Sequence, residues 1–231
     1  MTKAPTRQRA PRLPSDQRIA KILLVARQLI RTNGYEALSM AEIARQAGVV
    51  EGTLYRYFDT KRALLERVAL DWFSEQLSDD TALPGIVGTW NRLRHLIWRG
   101  LQVTRNEPVL SRFLLTELRP TTGYRDSPFF ELNRRFTGEI RTLCQEAIAS
   151  GEFHDDVSPS LLRNMIFGCI EHQTWAYMRG EGDFDVERTA DSMTTVIFRG
   201  MIVATPPQSD LSAAISRLDA LTTRIEAKIG N

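Results

Sequence analysis

The chain has 231 residues, 42% of them apolar and 25% charged, the balance of a soluble globular protein with room for one large domain or a small one joined to a medium one. Fourteen glycines and ten prolines are too few and too scattered for a collagen-like or disordered chain, and no run nears the roughly 18 apolar residues of a membrane span. The net charge of +2 conceals an asymmetry, with 12 Lys/Arg against 5 Asp/Glu in residues 1–62 and 18 against 23 in residues 63–231, so that a basic first quarter precedes an acidic body and suits a partner rich in phosphate.

Residues 1–14 read as a flexible basic arm, with Lys3, Arg7, Arg9 and Arg12 spaced among Pro, Thr and Gln. They lack the apolar stretch of a secretory signal. Cys144 and Cys169 are too few for a disulfide framework and fit a reducing cytoplasm. Ser15 offers an N-cap and Asp16 a first-turn negative charge for a helix whose apolar face runs through Ile19, Ile22, Leu23, Ala26, Leu29 and Ile30 to a stop at Asn33–Gly34. Ser39 and Glu42 have the spacing of a capping box for a short second helix with Ile43, Ala44 and Ala47 inward and Gly48 at its end. A third short helix is expected from Glu51 to Phe58, then a turn at Asp59–Lys61.

From Arg62 the pattern stays helical. One helix carries Leu64, Leu65, Val68, Trp72 and Phe73, and others are expected over 86–106, 108–118, 129–150, 159–179 and 185–204, broken at Pro84–Gly85, Pro120–Pro128, Gly151, Gly180 and Pro206–Pro207. A last helix, capped by Ser209 or Asp210, spaces Leu211, Ile215, Leu218, Thr222, Ile225 and Ile229 as a short heptad seam. No alternating strand pattern occurs, so the fold class is all-α. The divisions are 1–14 as the arm, 15–61 as a DNA-binding domain, 62–207 as a helical body and 208–231 as the C-terminal helix.

Residues 39–58, SMAEIARQAGVVEGTLYRYF, place two short helices around a glycine turn, the spacing of a helix-turn-helix. At about 100° per residue, Leu54 and Phe58 define the buried side of the third helix. Gly52, Thr53 and Arg56 then point away, with Tyr55 and Tyr57 on the flanks. A small residue, a hydroxyl, phenols and a guanidinium are groups that read base edges and grip phosphates. Lys61 and the amide-rich helix start at Ser39 add backbone contacts. Those side chains could instead merely coat a surface, but glycine costs about 1 kcal/mol in a helix interior and is a poor choice for coating.

The run from IARQAGV through EGTLYRYFDTKRALL resembles the DNA-binding domain of the tetracycline-repressor (TetR) family of transcriptional regulators. The match runs through Ile43, Ala44, Ala47, Gly48, Val49, Gly52, Thr53, Leu54, Tyr55, Tyr57, Phe58, Lys61 and Leu64, and back to Asn33, Gly34 and Tyr35. The resemblance implies an N-terminal three-helix helix-turn-helix domain and a larger helical body that binds a small-molecule effector and dimerises. It also implies a homodimer on a palindromic double-stranded DNA operator, acting as a repressor, with 160–179 and 185–204 as the interface helices. Two departures bear on the operator. Val50 stands where the family commonly has a capping Ser, and Glu51 where a basic residue is common.

An effector pocket is expected among the aromatic and isolated polar residues of the body, chiefly Trp98, Phe113, Glu117, Phe129, Glu171, His172 and Trp175, with Trp90, Leu114, Tyr124, Phe130, Phe136 and Tyr177 as further candidates, although aromatics at helical spacing also serve as plain core. Such a lining favours a flat or hydrophobic ligand. Two other classes were weighed. A small enzyme would rest on His154, Asp155 and Asp156, or on Glu171 with His172, but no HExxH, GxSxG or phosphate loop occurs, so no catalytic residue, metal or cofactor is expected. An interaction module with a degenerate helix-turn-helix would rest on Val50 and Glu51.

Overall fold

The computed structural model describes residues 14–78, 83–203 and 215–220. The first helices are α1 (Ser15–Asn33), α2 (Met40–Ala47), α3 (Glu51–Tyr57) and α4 (Lys61–Ser78). The body adds α5 (Thr89–Asn106), α6 (Pro108–Phe113), α7 (Pro128–Ala149), α8 (Pro159–Met178) and α9 (Val186–Met201). Short 3-10 turns lie at Leu83–Gly85 and Tyr124–Asp126, and a π-helical turn at Leu114–Leu118 follows α6 directly. Residues 215–220 are helical and expose Ile215 and Leu218. The rest of the expected C-terminal seam, and residues 1–13 of the expected arm, lie outside the described residues.

Local chemistry sets the ends of the first helices. α1 starts after Pro14, not at a Ser15 cap. Ser15 is its first residue and its hydroxyl instead donates to the Tyr57 hydroxyl at 3.2 Å. Ser39 does cap α2, accepting the Glu42 amide at 3.2 Å. The reciprocal half of the expected capping box is not formed, because the Glu42 carboxylate turns to Arg45 and Gln46, each at 2.6 Å. Gly48 closes α2 at φ 70°, a left-handed conformation that costs a side chain strain. Thr60 caps α4 by accepting the Ala63 amide at 3.0 Å.

The amphipathic faces meet in two clusters. One holds Ile22, Ile30, Ile43 and Leu54 of α1–α3 and continues without a break through Leu64, Trp72 and Phe73 of α4 to Leu110, Phe113, Phe129 and Phe136 of the body. The other joins α5, α7, α8 and α9 around Leu93, Ile97, Leu143, Leu162, Ile166 and Met201. The boundary expected at 61/62 therefore falls in the first turn of α4, and the core spans it. Among the described residues a single antiparallel bridge, Phe153 to Ile202, ties the segment after α7 to the end of α9.

A buried ion cluster fastens α1 to the body. Glu107, in the one-residue joint between α5 and α6, has a side chain 2% exposed and meets Arg27 at 3.0 Å and Arg31 at 2.7 Å. Arg27 also holds Glu75 of α4 at 2.8 Å. Burial would lower the Arg27 pKa, but its bonds to Glu75 and Glu107 outweigh that and raise it.

Candidate nucleic-acid interface and effector cavity

On α3, Leu54 is fully buried, and Phe58 follows it into the core. Glu51, Gly52, Tyr55 and Arg56 are exposed, and Thr53 and Tyr57 are half-buried. A methyl built on Gly52 meets nothing within 4 Å, so no neighbour in the fold requires glycine there. Val50 makes no side-chain cap for α3, leaving the helix start to its amides and to the first-turn Glu51. Arg56 lies over the Tyr57 ring at 5.2 Å. Among the described residues its guanidinium is otherwise held by a long 3.4 Å bond to the Tyr57 hydroxyl, a weak tie that a base or phosphate can replace.

Tyr57 is the joint between α3 and α1. Its hydroxyl accepts from Ser15 and from Arg18, each at 3.2 Å. The bond from Ser15, then those from Arg56 and Arg18, lower the phenol to about 8. Ser39 is exposed at the start of α2, in line with a phosphate contact from its end of the helix. Lys61 is committed differently from the expectation of a simple backbone contact. Its Nζ donates to the Glu36 carbonyl at 2.9 Å and braces the α1–α2 loop against α4.

In the body, a cavity of about 870 Å³ opens between α4, α5, α6, α7 and α8, within the size range of small-molecule sites. Its buried apolar floor is Trp72, Phe73, Val103, Leu114, Phe136 and Ile170, with half-buried Phe167 beside them. Five arginines line it, Arg119, Arg125, Arg134, Arg141 and Arg163, against one carboxylate, Glu171. Arg119 pairs with Glu171 at 2.9 Å. Tyr124 joins the lining beside Arg119 and Arg125, and burial holds its phenol above the ordinary value, so it is a neutral donor.

Of the further candidates Leu114, Tyr124, Phe130 and Phe136 line this cavity, and of the seven chief ones Glu171 does. The other six lie elsewhere. Phe129 and Phe113 are buried in the core one layer behind it, Phe129 stacked on Phe73 at 5.1 Å and Phe113 edge-on to Tyr35 at 5.0 Å. Trp98 donates its indole N–H to Glu187 at 2.7 Å on the α5–α9 side. Trp175 lies under Arg179, and His172 is exposed on α8. Glu117 offers its backbone instead, its carbonyl accepting from Arg62 at 2.9 Å. The cavity arginines and the Ser111 hydroxyl carry no signal in the sequence, where each reads as ordinary polar surface.

The expected interface stripes divide in two. Leu162, Ile166 and Met201 turn into the chain's own core. Met165 and Val196 face out at 55% and 72% exposure, and Leu161 joins them at 52%. Cys169, Ala176 and Gly200 are also exposed, and Met193 and Ile197 are half-buried.

The exposed recognition helix on a helical body is the build of a DNA-binding regulator, and the comparisons with known proteins agree. A model of bacterial regulatory proteins of the tetR family matches residues 22–68, and a model of the tetracyclin repressor-like C-terminal domain matches residues 88–201. The chain belongs to the TetR family and is a DNA-binding transcriptional regulator, not an enzyme. It is 24% identical over 184 residues to the fatty acid metabolism regulator protein of Bacillus subtilis, covering 78% of this chain and 94% of that one. It is 25% identical over 209 residues to the transcriptional repressor KstR2 of Mycolicibacterium smegmatis, covering 83% and 95%. The crystal structure of FadR from Bacillus subtilis in complex with stearoyl-CoA superposes with a TM-score of 0.66 at 23% identity, covering 78% of this chain and 98% of that one. Among the described residues no helix is long and apolar enough to cross a membrane.

Proposed function

We propose that the protein is a homodimeric repressor that leaves a palindromic operator when an amphipathic anion fills the cavity of its body. The observation that carries this reading is the cavity's lining, with an aromatic floor and five arginines against one glutamate. That lining suits an apolar body with a negative head, which is the build of an acyl thioester of coenzyme A. The names of the relatives point the same way, one a fatty acid metabolism regulator and one bound to stearoyl-CoA.

Gly52, Thr53, Tyr55 and Arg56 read base edges, and Ser39, Tyr57 and Lys61 serve the backbone or brace the residues that do. The outward apolar face of Leu161, Met165, Cys169, Ala176 and Val196 supports pairing of two chains through α8 and α9, with His172 at the seam. A two-fold pair sets its recognition helices about 34–36 Å apart, or a multiple of that, on a two-fold site. The protein works in the cytoplasm, where its operator lies.

Release runs through the π-helical turn. Leu114, Leu115 and Arg119 of this stretch line the cavity, and its Glu117 carbonyl holds Arg62 in the first turn of α4. A π turn is a rare register, often found at functional sites, that a ligand can reset. Movement there pulls α4 and, through it, the spacing of the two α3 helices. A ligand that favours the mismatched spacing by a few kcal/mol empties the operator.

The test is operator release followed by fluorescence anisotropy. Stearoyl-CoA is expected to release the DNA from the full chain, free coenzyme A is not, and Arg119→Ala with Arg141→Ala should weaken release. DNA binding unchanged at saturating stearoyl-CoA contradicts the effector class, and a monomer on the operator contradicts the dimer.

A further inference from the structure

The cavity sorts its polar groups by depth. The arginines stand at the open side, where Arg119 is 45% and Arg134 62% exposed. The floor is buried and apolar, but it also carries Thr104 on α5 and Ser111 on α6, at 8% and 6% exposure. Two other lining hydroxyls, on Thr137 and Thr174, return to their own helices, donating to the Asn133 and Ile170 carbonyls at 2.8 Å. Ser111 makes no such bond. Its Oγ is buried and has no hydrogen-bond partner among the described residues. Hydroxyls buried without partners are rare in folded proteins, because losing water without a replacement bond is costly.

We propose that the effector carries an oxygen, as hydroxyl or ketone, on its apolar body remote from its anionic head, and that Ser111 is the residue that reads it. The proposal rests on the reading of this cavity as the effector site. A plain saturated chain laid over the floor leaves Ser111 unsatisfied, whereas an oxygen there completes it. The Tyr124 hydroxyl is likewise buried and without a partner among the described residues, beside Arg119 and Arg125, where it can donate to a carbonyl at the junction of head and body. The floor therefore selects for the tail, and the arginines for the head.

The test is titration calorimetry of the full chain with stearoyl-CoA, its mid-chain hydroxy derivative, its ω-hydroxy derivative and free coenzyme A. The wild type is expected to bind at least one hydroxy derivative roughly three- to tenfold more tightly than stearoyl-CoA, the range a single buried hydrogen bond supplies. Ser111→Ala, with its thermal melt checked against wild type, should erase that difference and leave stearoyl-CoA binding equal or improved. Stearoyl-CoA bound at least as tightly as both derivatives by the wild type, as when a water serves Ser111, overturns the proposal and leaves the effector site standing. A preference that persists in Ser111→Ala does the same. If none of the thioesters binds, the acyl-thioester reading of the cavity falls, and this proposal with it.

Discussion

Arg31 of α1 reaches across to Glu107 at the α5–α6 joint and meets its carboxylate at 2.7 Å, with the Glu107 side chain 2% exposed. A charge so deeply placed is tolerable only while it is paired, so the contact fixes how the DNA-binding helices sit on the body. Arg112 of α6 adds a more exposed tie, meeting Glu36 beyond α1 at 2.8 Å. Arg62 of α4 adds a third through the Glu117 carbonyl. All three ties come from the stretch 107–118 that borders the cavity, so effector and operator bear on one short segment.

Removing Glu107 tests the first tie. Glu107→Ala removes the buried carboxylate and leaves Arg27 to Glu75, so the loss stays below the about 3–5 kcal/mol of a stranded buried charge. Because Arg31 is 53% exposed and can regain water, the loss expected in urea denaturation is about 1–3 kcal/mol. A drop below about 0.5 kcal/mol, the level of an ordinary surface change, would place the cluster among exposed pairs of little consequence.

Gly52 separates folding from reading. With nothing within 4 Å of an added methyl, Gly52→Ala should stabilise α3 by up to about 1 kcal/mol, the helix-propensity gain. The same methyl stands where the helix approaches a base edge, so operator affinity should fall roughly tenfold or more. Thermal melting and DNA titration on one preparation check both signs. A stabilised variant with unchanged operator affinity would move the close approach away from Gly52.

Arg56→Ala should weaken operator binding by about 1–3 kcal/mol and relax the sequence preference at one position, if the guanidinium pairs with a guanine. Uniform weakening on all sequences, with a smaller salt slope, would assign Arg56 to a phosphate. Titration of operator variants at two salt concentrations tells these apart, and an unchanged affinity would remove Arg56 from the interface.

Tyr57 gives DNA binding a pH dependence. Its phenol, lowered to about 8 by Ser15, Arg56 and Arg18, is neutral and able to donate below that pH. As pH rises through 8 it becomes a phenolate facing phosphates, so operator affinity should fall, by at most about tenfold per pH unit. Tyr57→Phe should bind more weakly at pH 7 and lack the step. An affinity flat from pH 7 to 9 in the wild type would show that Tyr57 does not face the backbone.

The DNA-reading half of the molecule was legible in the sequence because its signals are local. The Ser39 cap, the left-handed Gly48 and the Leu54–Phe58 pair each act within one turn, and together they fix which side of α3 is exposed. The reciprocal Ser39–Glu42 box failed because Arg45 and Gln46, one turn on, compete for the same carboxylate. The cavity was legible only in part, because burial of an aromatic does not say which side of it is empty. Phe113 and Phe129 satisfy the same apolar spacing as Phe136 and Phe167, yet they pack in core while the latter border space. The cavity arginines come from separate helices and gather only in three dimensions. The π turn at 114–118 was hidden in the same way, since LLTEL continues the α6 pattern and the turn is marked by the Arg119 amide donating to the Leu114 carbonyl, five residues back, at 3.0 Å.

The most direct measurement is selection of genomic fragments by the purified full chain at low and high salt, with and without stearoyl-CoA. The account predicts enrichment of a palindromic site whose half-sites are one helical turn, or a multiple, apart. That enrichment should be lost at high salt and on adding the thioester. No enrichment at low salt without stearoyl-CoA would contradict a repressor that holds its operator until an effector arrives.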